Sequence, residues 1–295
     1  MAGKHPPVLQ VRCFREGDAE VLGQLMARLG ESFLPVPLEQ RLRRPRYSPQ
    51  EDLLLAERDG HIVAYLDTFR ELDIGRVVFE ARVLPGHGRG GVASRLLLRG
   101  TEHAAAIGAG AVHLPIAGAD RVVRGLLEKQ GFAPVRRFLH LSLRRKKVAA
   151  APVRPPLRPM MPGEEATLTR IQNLSFGRSW GFHPNTEEDI RYRLGLDCCS
   201  PEGVFFALVE ERVVGYCWTR DLRGKGEIWM IGVDPAHWGR GMGRALLLRG
   251  IHHLRRRGFH RVDLTVDEEN TGAIALYRSE GFRQTGTVVW YERRL

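Results

Sequence analysis

The C-terminal half of this 295-residue chain alternates short apolar runs with longer stretches whose apolar residues recur at helical spacing. Runs rich in β-branched and aromatic residues predict strands, and Glu211-Arg212 between the first two runs predicts a hairpin turn. The predicted strands are Val204–Glu210, Val213–Thr219, Glu227–Val233, Arg261–Val266 and Thr285–Arg293.

Two helices are predicted between these strands. From Arg244 to Arg257 apolar residues recur every three or four positions, and Gly258 suits the residue that follows a helix. Asn270 can cap a second helix that runs to Glu280. Strands alternating with helices in this way predict a mixed α/β sheet flanked by helices.

The same pattern occurs twice along the chain. With an offset of 150 residues, residues 83–132 and 233–282 share 16 identities in 50 positions without a gap. Chance would give about three or four at average residue frequencies. A repeat of this length is too long for a solenoid and indicates a duplicated domain.

A boundary between the copies is also visible. A basic run, Arg144–Lys147, is followed by the proline-rich and alanine-rich Val148–Pro159 (VAAAPVRPPLRP). Prolines favour extended neighbours, so this stretch predicts a semi-rigid linker. We therefore expect an N-terminal domain over residues 1–147, a linker over 148–158 and a C-terminal domain over 159–295.

Composition limits the location of the protein. The chain is 43% hydrophobic and 27% charged, which is typical of a globular protein, and it has no apolar run of about 18 residues. Its first residues lack the apolar segment of a signal peptide. The four cysteines show no CxxC spacing, so neither a disulfide framework nor a metal site is indicated. We expect a cytoplasmic protein without a membrane segment.

The charge leaves several partners open. The formal net charge is +11 and the isoelectric point is about 10.1. A phosphorylated cofactor, nucleic acid or an acidic protein would suit this charge, but so would a solvated arginine-rich surface. The arginines are scattered rather than clustered on one predicted helix, which makes nucleic acid the weaker candidate.

The strongest candidate for a functional motif lies between the strand that ends at Val233 and the following helix. Glycines at alternate positions (WGRGMG, residues 238–243) leave backbone amides uncovered just before a helix N-terminus. Such a turn suits a diphosphate, and Arg240 and Arg244 add positive charge. The turn is not a P-loop, because Gly243 is followed by Arg244-Ala245. A purely structural turn is the alternative.

The segments VDPAHWGRGMGRALL and DEENTGAIALYRSEGF together resemble the GNAT superfamily of acyl-CoA-dependent N-acyltransferases. Trp238 stands where that family usually has Gln or Arg. The resemblance implies two tandem domains with a mostly antiparallel sheet, and acetyl-CoA lying between splayed strands. The cofactor-binding residues that it implies are Ile231, Gly232, Val233, Trp238, Gly239, Arg240, Gly241, Met242, Gly243, Arg244 and Asn270.

The tandem arrangement is similar to that of the mycothiol synthase family. The segment GEIWMIGVDP places Glu227 where that family has a general base, and the family motif makes Tyr277 the general acid. The N-terminal copy has Leu127 at the position of Tyr277, so we expect it to be degenerate, with CoA binding there left open. The C-terminal domain is expected to be the catalytic one.

The acceptor is not defined by the sequence. We expect acetyl transfer to a primary amine of a small molecule, without a metal. A non-catalytic acyl-CoA-binding or nucleic-acid-associated module remains an alternative, as does a protein N-acetyltransferase. The alanine acetyltransferases of ribosomal proteins have a glutamate where this chain has Thr265, which counts against that subfamily. The oligomeric state and acyl chain length stay open.

Overall fold

The computed structural model describes residues 9–30, 36–88, 91–118, 121–144, 156–222 and 224–295. The chain forms two compact units, and each includes a segment from the other half of the repeat. Unit 1 comprises residues 1–137 and 288–295, and unit 2 comprises residues 138–287. These units differ from the predicted domains 1–147 and 159–295. The last strand of each repeat copy pairs with strands of the other copy.

Twelve strands and nine α-helices are present in the described residues. The strands are β1 Leu9–Cys13, β2 Leu53–Arg58, β3 His61–Glu71, β4 Arg76–Val83, β5 Ala111–Ala117, β6 Ala133–Leu143, β7 Leu157–Pro159, β8 Cys199–Val209, β9 Arg212–Leu222, β10 Lys225–Val233, β11 Val262–Asp267 and β12 Arg283–Arg294. The helices are α1 Ala19–Leu29, α2 Leu38–Leu42, α3 Pro49–Asp52, α4 Val92–Ala106, α5 Arg121–Lys129, α6 Glu165–Phe176, α7 Glu187–Leu194, α8 Met242–Arg256 and α9 Thr271–Ser279. None of these helices is long and apolar enough to cross a membrane.

Unit 1 is built on the strand order β1-β2-β3-β4-β5-β12, in which Val288–Arg294 supplies the last strand. Neighbouring strands are antiparallel except β4 and β5, which are parallel. Tyr291 of β12 is buried in the core of this unit with Leu66, Phe79 and Leu96. The last strand of the chain is therefore part of the N-terminal core.

Unit 2 has the matching order β6-β11-β10-β9-β8-β7, with β6 contributing its residues from Phe138 onward. Again only one pair of neighbours, β10 and β11, is parallel. Helices α8 and α9 contribute to the core on one face of this sheet, and α6 contributes to a second core on the other. The predicted fold class, mixed α/β with a mostly antiparallel sheet, is confirmed.

One helical glycine in each unit lets a helix lie directly on its sheet. A Cβ on Gly250 of α8 would lie 2.6 Å from Cys217 Sγ and 2.7 Å from Ile228 Cδ1. A Cβ on Gly100 of α4 would lie 2.9 Å from Leu66 Cδ1. Gly100 and Gly250 match in the repeat, so the duplicated sequence preserves the same close contact.

Two local predictions differ from the structure. The hairpin turn is formed by Glu210 and Glu211 rather than Glu211-Arg212, and both have positive φ angles of 48° and 62°. A two-residue turn of this kind matches the twist of the strands, but glutamate gives no sequence signal for it. The predicted linker also ends earlier than residue 158, because Leu157–Pro159 pairs with β8 at the edge of the sheet. Residues 145–155 lie outside the described residues.

Candidate active site

In unit 2 the parallel strands β10 and β11 separate partway along their length. They pair only over Gly226–Ile228 and Val262–Leu264. β10 then has an irregularity between Ile228 and Met230 but stays paired with β9 as far as Val233. Within the described chain, the side of β10 that faces β11 has no strand partner from Met230 to Val233. Its peptide groups are open to an extended ligand, as at an unpaired sheet edge.

A glycine turn connects the free end of β10 to helix α8. Gly239 and Gly241 have φ angles of 74° and 76°, a region in which side chains are rarely tolerated. Gly241 is the N-cap of α8 and provides no side-chain acceptor. The amides of the first turn, Met242, Gly243 and Arg244, therefore point out of the helix without a capping side chain. An uncapped helix N-terminus of this kind suits an anion, because its amides are free to donate and the helix dipole is positive there.

The exposed side chains around this turn have distinct contacts. Trp238 is 62% exposed, and its indole Nε1 donates to the carbonyl oxygen of Val233 at 2.8 Å. Trp238 thus fixes the turn to the end of β10, which a sequence motif could not reveal. Arg244 Nε donates to Glu280 Oε1 at 2.6 Å, while Arg240 is exposed. Of these two arginines, Arg244 is paired with a carboxylate, and Arg240 has no such pair among the described residues.

Asn270 has the structural role predicted for it. Its Oδ1 accepts a hydrogen bond of 3.1 Å from the amide of Ala273, which caps helix α9. The cap fixes the start of the helix that carries Tyr277, two turns further on. Its predicted contact with the cofactor stays a prediction.

Tyr277 is buried on the α8 side of the sheet. It is 6% exposed and belongs to the same core as Ile228, Leu246 and Leu264. Its ring lies 6.0 Å from that of Phe282, measured between centroids. Burial, with a smaller effect of the nearby Cys217, raises the pKa of the Tyr277 phenol well above its usual value. The phenol is therefore protonated at neutral pH and able to donate.

Glu227 is paired with an arginine that the sequence did not single out. Arg220 Nε donates to Glu227 Oε2, and these two residues are also partners in the β9–β10 register. The Arg220 guanidinium lies over the ring of Trp229, 4.5 Å from its centroid. Both charged groups are nearly buried, with side-chain exposures of 9% for Arg220 and 12% for Glu227. This contact orients the carboxylate through Oε2, and Oε1 is the oxygen that Arg220 Nε does not contact.

Glu227 and Tyr277 lie on opposite faces of the sheet. Gly226 and Ile228 face α8, since a Cβ on Gly226 would lie 3.0 Å from Leu254 Cδ2 and Ile228 shares the core of Tyr277. Side chains alternate along a strand, so Glu227 between them points to the other face. A ligand that occupied the gap between β10 and β11 would have one ionisable group on each side.

Unit 1 has the same backbone frame but different side chains. β4 and β5 also pair only over Arg76–Val78, and Gly91, with a φ angle of 77°, begins α4. Val78 occupies the register position of Glu227, and buried Leu127 stands at the position of Tyr277. The polar groups that could accept or donate a proton are therefore replaced by apolar ones.

The face of unit 1 that corresponds to Glu227 is filled by a buried ionic network. Arg41 is 1% exposed, and its guanidinium donates to Asp67 Oδ2 at 2.9 Å and to Glu80 Oε2 at 3.2 Å. Arg44 also donates to Asp67, at 2.6 and 2.9 Å. Tyr65 donates to Glu80 at 2.7 Å. The charges of this network are thus engaged with one another rather than directed at the splayed strands.

No group of three or more histidine, cysteine or acidic side chains that could hold a metal ion occurs in the ranges described above. The candidate site of unit 2 therefore combines an open strand edge, an uncapped helix N-terminus, a buried phenol and an arginine-bound carboxylate.

Comparison with known proteins defines the class to which this fold and site belong. The model of the acetyltransferase (GNAT) family matches residues 22–132 and 167–282, one match in each copy of the repeat. The chain belongs to this family and is an acyltransferase. The resemblance inferred from the two sequence motifs is thereby confirmed.

Relatives and solved structures match this chain over most of its length. The chain is 34% identical to a mycothiol acetyltransferase of Thermomonospora curvata over 86% of both chains. It is 33% identical to a mycothiol acetyltransferase of Actinosynnema mirum, covering 93% of this chain and 95% of the relative. A GCN5-related N-acetyltransferase of Sphaerobacter thermophilus matches 97% of this chain and 95% of its own, with a TM-score of 0.74 and 26% identity. A tandem GNAT protein from the clavulanic acid pathway has the same fold, with a TM-score of 0.74 at 16% identity over 97% of this chain and 98% of its own.

Proposed function

We propose that unit 2 transfers an acetyl group from acetyl-CoA to a primary amine of a small polar molecule, with Glu227 as general base and Tyr277 as general acid. The observation that carries this proposal is the separation of β10 from β11, which leads directly to the uncapped N-terminus of α8. The GNAT family in general uses acetyl-CoA.

The residues of unit 2 fit coenzyme A. The free edge of Ile231–Val233 offers main-chain groups to an extended pantetheine chain. The turn from Trp238 to Arg244 offers amides, a helix dipole and the charge of Arg240 to a diphosphate. A Cβ at Gly243 would lie 3.7 Å from Leu276 Cδ2, so this glycine is adjacent to the helix that carries Tyr277.

Acyl transfer from a thioester needs a base for the amine and a donor for the departing sulfur. Glu227 Oε1 is the oxygen that would accept the amine proton, because Oε2 already accepts from Arg220. Tyr277 would donate to the sulfur from the other face of the sheet. Its raised pKa keeps the phenol protonated until charge develops on sulfur, when the hydrogen bond becomes strongest.

The acceptor class follows from the surroundings of Glu227. Arg220, Trp229 and the carboxylate itself would bind a polar molecule that presents an amine beside hydrogen-bonding groups. The relatives are named mycothiol acetyltransferases, so the amine precursor of mycothiol is the first acceptor to test. Unit 1, with Val78 and Leu127 at the corresponding positions, would have no turnover.

The decisive experiment measures CoA release with a panel of small amines, for the wild type and for Tyr277→Phe. We expect kcat/KM of the variant to fall about a hundredfold to ten-thousandfold, the usual contribution of one acid–base group. Tyr291→Phe, which removes the hydroxyl of a buried tyrosine in unit 1, is the matched control and should keep full activity. Equal activity of wild type and Tyr277→Phe would refute the role of the phenol.

Calorimetry with CoA locates the nucleotide site. Gly241→Ala places a Cβ on a residue with a φ angle of 76°, which costs about 1–2 kcal/mol and distorts the turn. Gly91→Ala makes the same change at a φ angle of 77° in unit 1. We expect Gly241→Ala to lower both the affinity for CoA and the rate of turnover, and Gly91→Ala to leave both unchanged. The reverse result would assign the productive site to unit 1.

A further inference from the structure

Two adjacent thiols lie beside the Arg220–Glu227 pair. The sulfur atoms of Cys198 and Cys199 are 3.8 Å apart, in van der Waals contact, and both residues are half-buried. Neighbouring side chains on a regular strand point to opposite faces. Cys198 lies in the turn before β8 and Cys199 is the first residue of that strand, so the alternation does not apply and the sulfurs meet.

The backbone on both sides of the thiols is fixed. The amide of Cys199 donates to the carbonyl oxygen of Leu196 at 2.8 Å, and the amide of Asp221 donates to the carbonyl oxygen of Cys198 at 2.8 Å. Cys199 is also the register partner of Arg220 in the β8–β9 ladder. The backbone that carries the two thiols is therefore held in place by the sheet on both sides.

The charges around the thiols favour one thiolate. The hydrogen bond with Cys199 lowers the pKa of Cys198, and the positive charge of Arg220 acts in the same direction. Burial and the Glu227 charge oppose this shift. For Cys199, the contact with Cys198 and burial raise the pKa, while Arg220 and Arg193 lower it. A thiol of lowered pKa at Cys198 next to a protonated thiol at Cys199 is the arrangement of a reactive cysteine with its resolving partner.

We propose that Cys198 and Cys199 form a modification site at which hydrogen peroxide or an organic hydroperoxide closes a disulfide between adjacent residues. In the first step the Cys198 sulfur attacks the peroxide, an S–O bond forms, the O–O bond breaks, and hydroxide or alkoxide leaves. In the second step the Cys199 sulfur attacks Cys198, the S–S bond forms, and the oxygen leaves with the Cys199 proton as water. Two thiols are oxidised, and one peroxide is reduced to water, or to water and an alcohol.

Closure of this disulfide would act on the proposed acetyl transfer, and this corollary rests on the proposed function. The sulfurs would have to move together from 3.8 Å, which shifts Cys199 against its strand partner Arg220. Arg220 orients Glu227 through its Nε. A displacement of a base by about 1 Å can cost on the order of a hundredfold in rate. We expect kcat/KM of the oxidised protein to fall tenfold to a hundredfold and to recover with dithiothreitol.

The test is peptide mapping of the full-length protein after treatment with hydrogen peroxide. We expect the peptide that contains both cysteines to lose two hydrogens, to resist alkylation, and to regain two alkylation sites after reduction. Cys199→Ser should instead stop at the sulfenic acid, which dimedone traps on Cys198. The proposal would be overturned if both thiols were still alkylated after peroxide treatment, or if each were overoxidised separately. A disulfide from either thiol to Cys13 or Cys217 would overturn it as well.

Matched controls separate this site from the chemistry of the other thiols. Cys13→Ser removes an exposed cysteine in unit 1, and Cys217→Ser removes a buried one in unit 2. Both variants should form the same modified peptide. Because mapping does not depend on turnover, the thiol site can be established even if no acetyl acceptor is found. An oxidised protein with unchanged kcat/KM would refute only the coupling through Arg220.

Discussion

Glu227 and Tyr277 are positioned by two different kinds of contact, the first by a neighbouring strand and the second by a capped helix. Tyr277 belongs to a helix with a readable cap at Asn270 and a readable end at Gly281, and that context fixes its place. Glu227 is indicated by the sequence only through a family resemblance, and its partner Arg220 is not indicated at all. Arg220 lies seven residues earlier, and only strand register brings it beside Glu227. Contacts between neighbouring strands carry no signal in a single sequence, so Arg220 and Trp229 could not be predicted.

The pairing with Arg220 leads to a prediction about activity. In Arg220→Gln the guanidinium that donates to Glu227 Oε2 is removed, so the carboxylate loses the contact that orients it. We expect kcat/KM to fall by about tenfold to a hundredfold, since a small displacement of a catalytic group has a cost of this order. The CoA affinity should change little, because Arg220 lies on the face away from Tyr277.

The control for this variant is Arg191→Gln, which removes the exposed Arg191–Glu187 pair of α7. Exposed pairs contribute about 0–1 kcal/mol, so its kcat/KM should match that of the wild type. An unchanged kcat/KM in Arg220→Gln, at unchanged helix and strand content by circular dichroism, would refute the role of Arg220 in orienting Glu227.

At the scale of elements, the two helices predicted from the sequence match α8 and α9 within two residues at each end, and the strand separation is predicted only through family resemblance. The predicted helix over Arg244–Arg257 begins at Met242 in the structure, because the glycine turn continues directly into it. Nothing in the residue pattern of β10 indicates that its pairing with β11 ends at Ile228. The end of pairing coincides with the irregularity of β10 between Ile228 and Met230, which a single sequence does not reveal.

Gly250 lies where α8 contacts the sheet most closely, and the same helix carries the proposed anion site at its N-terminus. Gly250→Ala would place a Cβ 2.6 Å from Cys217 Sγ, so either α8 or β9 must move. Overpacking of this kind typically costs about 1–3 kcal/mol, and it should also raise the Kd for CoA by shifting the α8 N-terminus. Urea unfolding and calorimetry would measure the two effects.

Gly272→Ala is the matched control, because Gly272 lies in α9 and a Cβ added to it would meet no described atom within 4 Å. Alanine is the better helix former, so this change should be neutral or stabilise by about 0.5–1 kcal/mol. If both variants had the same stability and the same Kd, the close approach of α8 to the sheet would have no energetic importance.

At the scale of the whole molecule, buried tyrosines in both units determine the stability at high pH. Burial raises the pKa of Tyr65, Tyr216 and Tyr277 above the value of about 10 expected for an unfolded chain. Above that value the unfolded state releases protons that the folded state retains. The stability is therefore complete below about pH 10 and falls as the pH rises, by about 1.4 kcal/mol per pH unit for each such tyrosine.

Phenolate absorbance and circular dichroism during an alkaline titration would check this expectation. The absorbance of the Tyr65, Tyr216 and Tyr277 phenolates should appear together with the loss of structure, and Tyr277→Phe should lower that amplitude by one phenol. Reversible ionisation of all the tyrosines near pH 10, with the structure intact, would contradict it.

The exchange of terminal strands makes the two units depend on both ends of the chain. A division at the predicted linker would separate residues 1–147 from Val288–Arg294, which pair with β5 in unit 1. The repeat and the proline-rich segment indicate two domains, and the two compact units of the structure follow strand pairing. Sequence similarity between two copies cannot show that their last strands are exchanged.

Removal of residues 288–295 should therefore destabilise unit 1, although these residues end the C-terminal copy. The truncated chain loses the buried Tyr291 and the hydrogen bond of 2.9 Å from Arg293 to the carbonyl oxygen of Gln130, and it leaves the β5 edge unpaired. Loss of a large buried aromatic side chain alone typically costs about 3–5 kcal/mol. Hydrogen exchange should show protection lost in β2–β5 while β8–β11 keep theirs, and removal of Leu295 alone should leave both patterns intact. Loss of protection confined to unit 2 would show instead that the last strand stabilises the copy from which it comes.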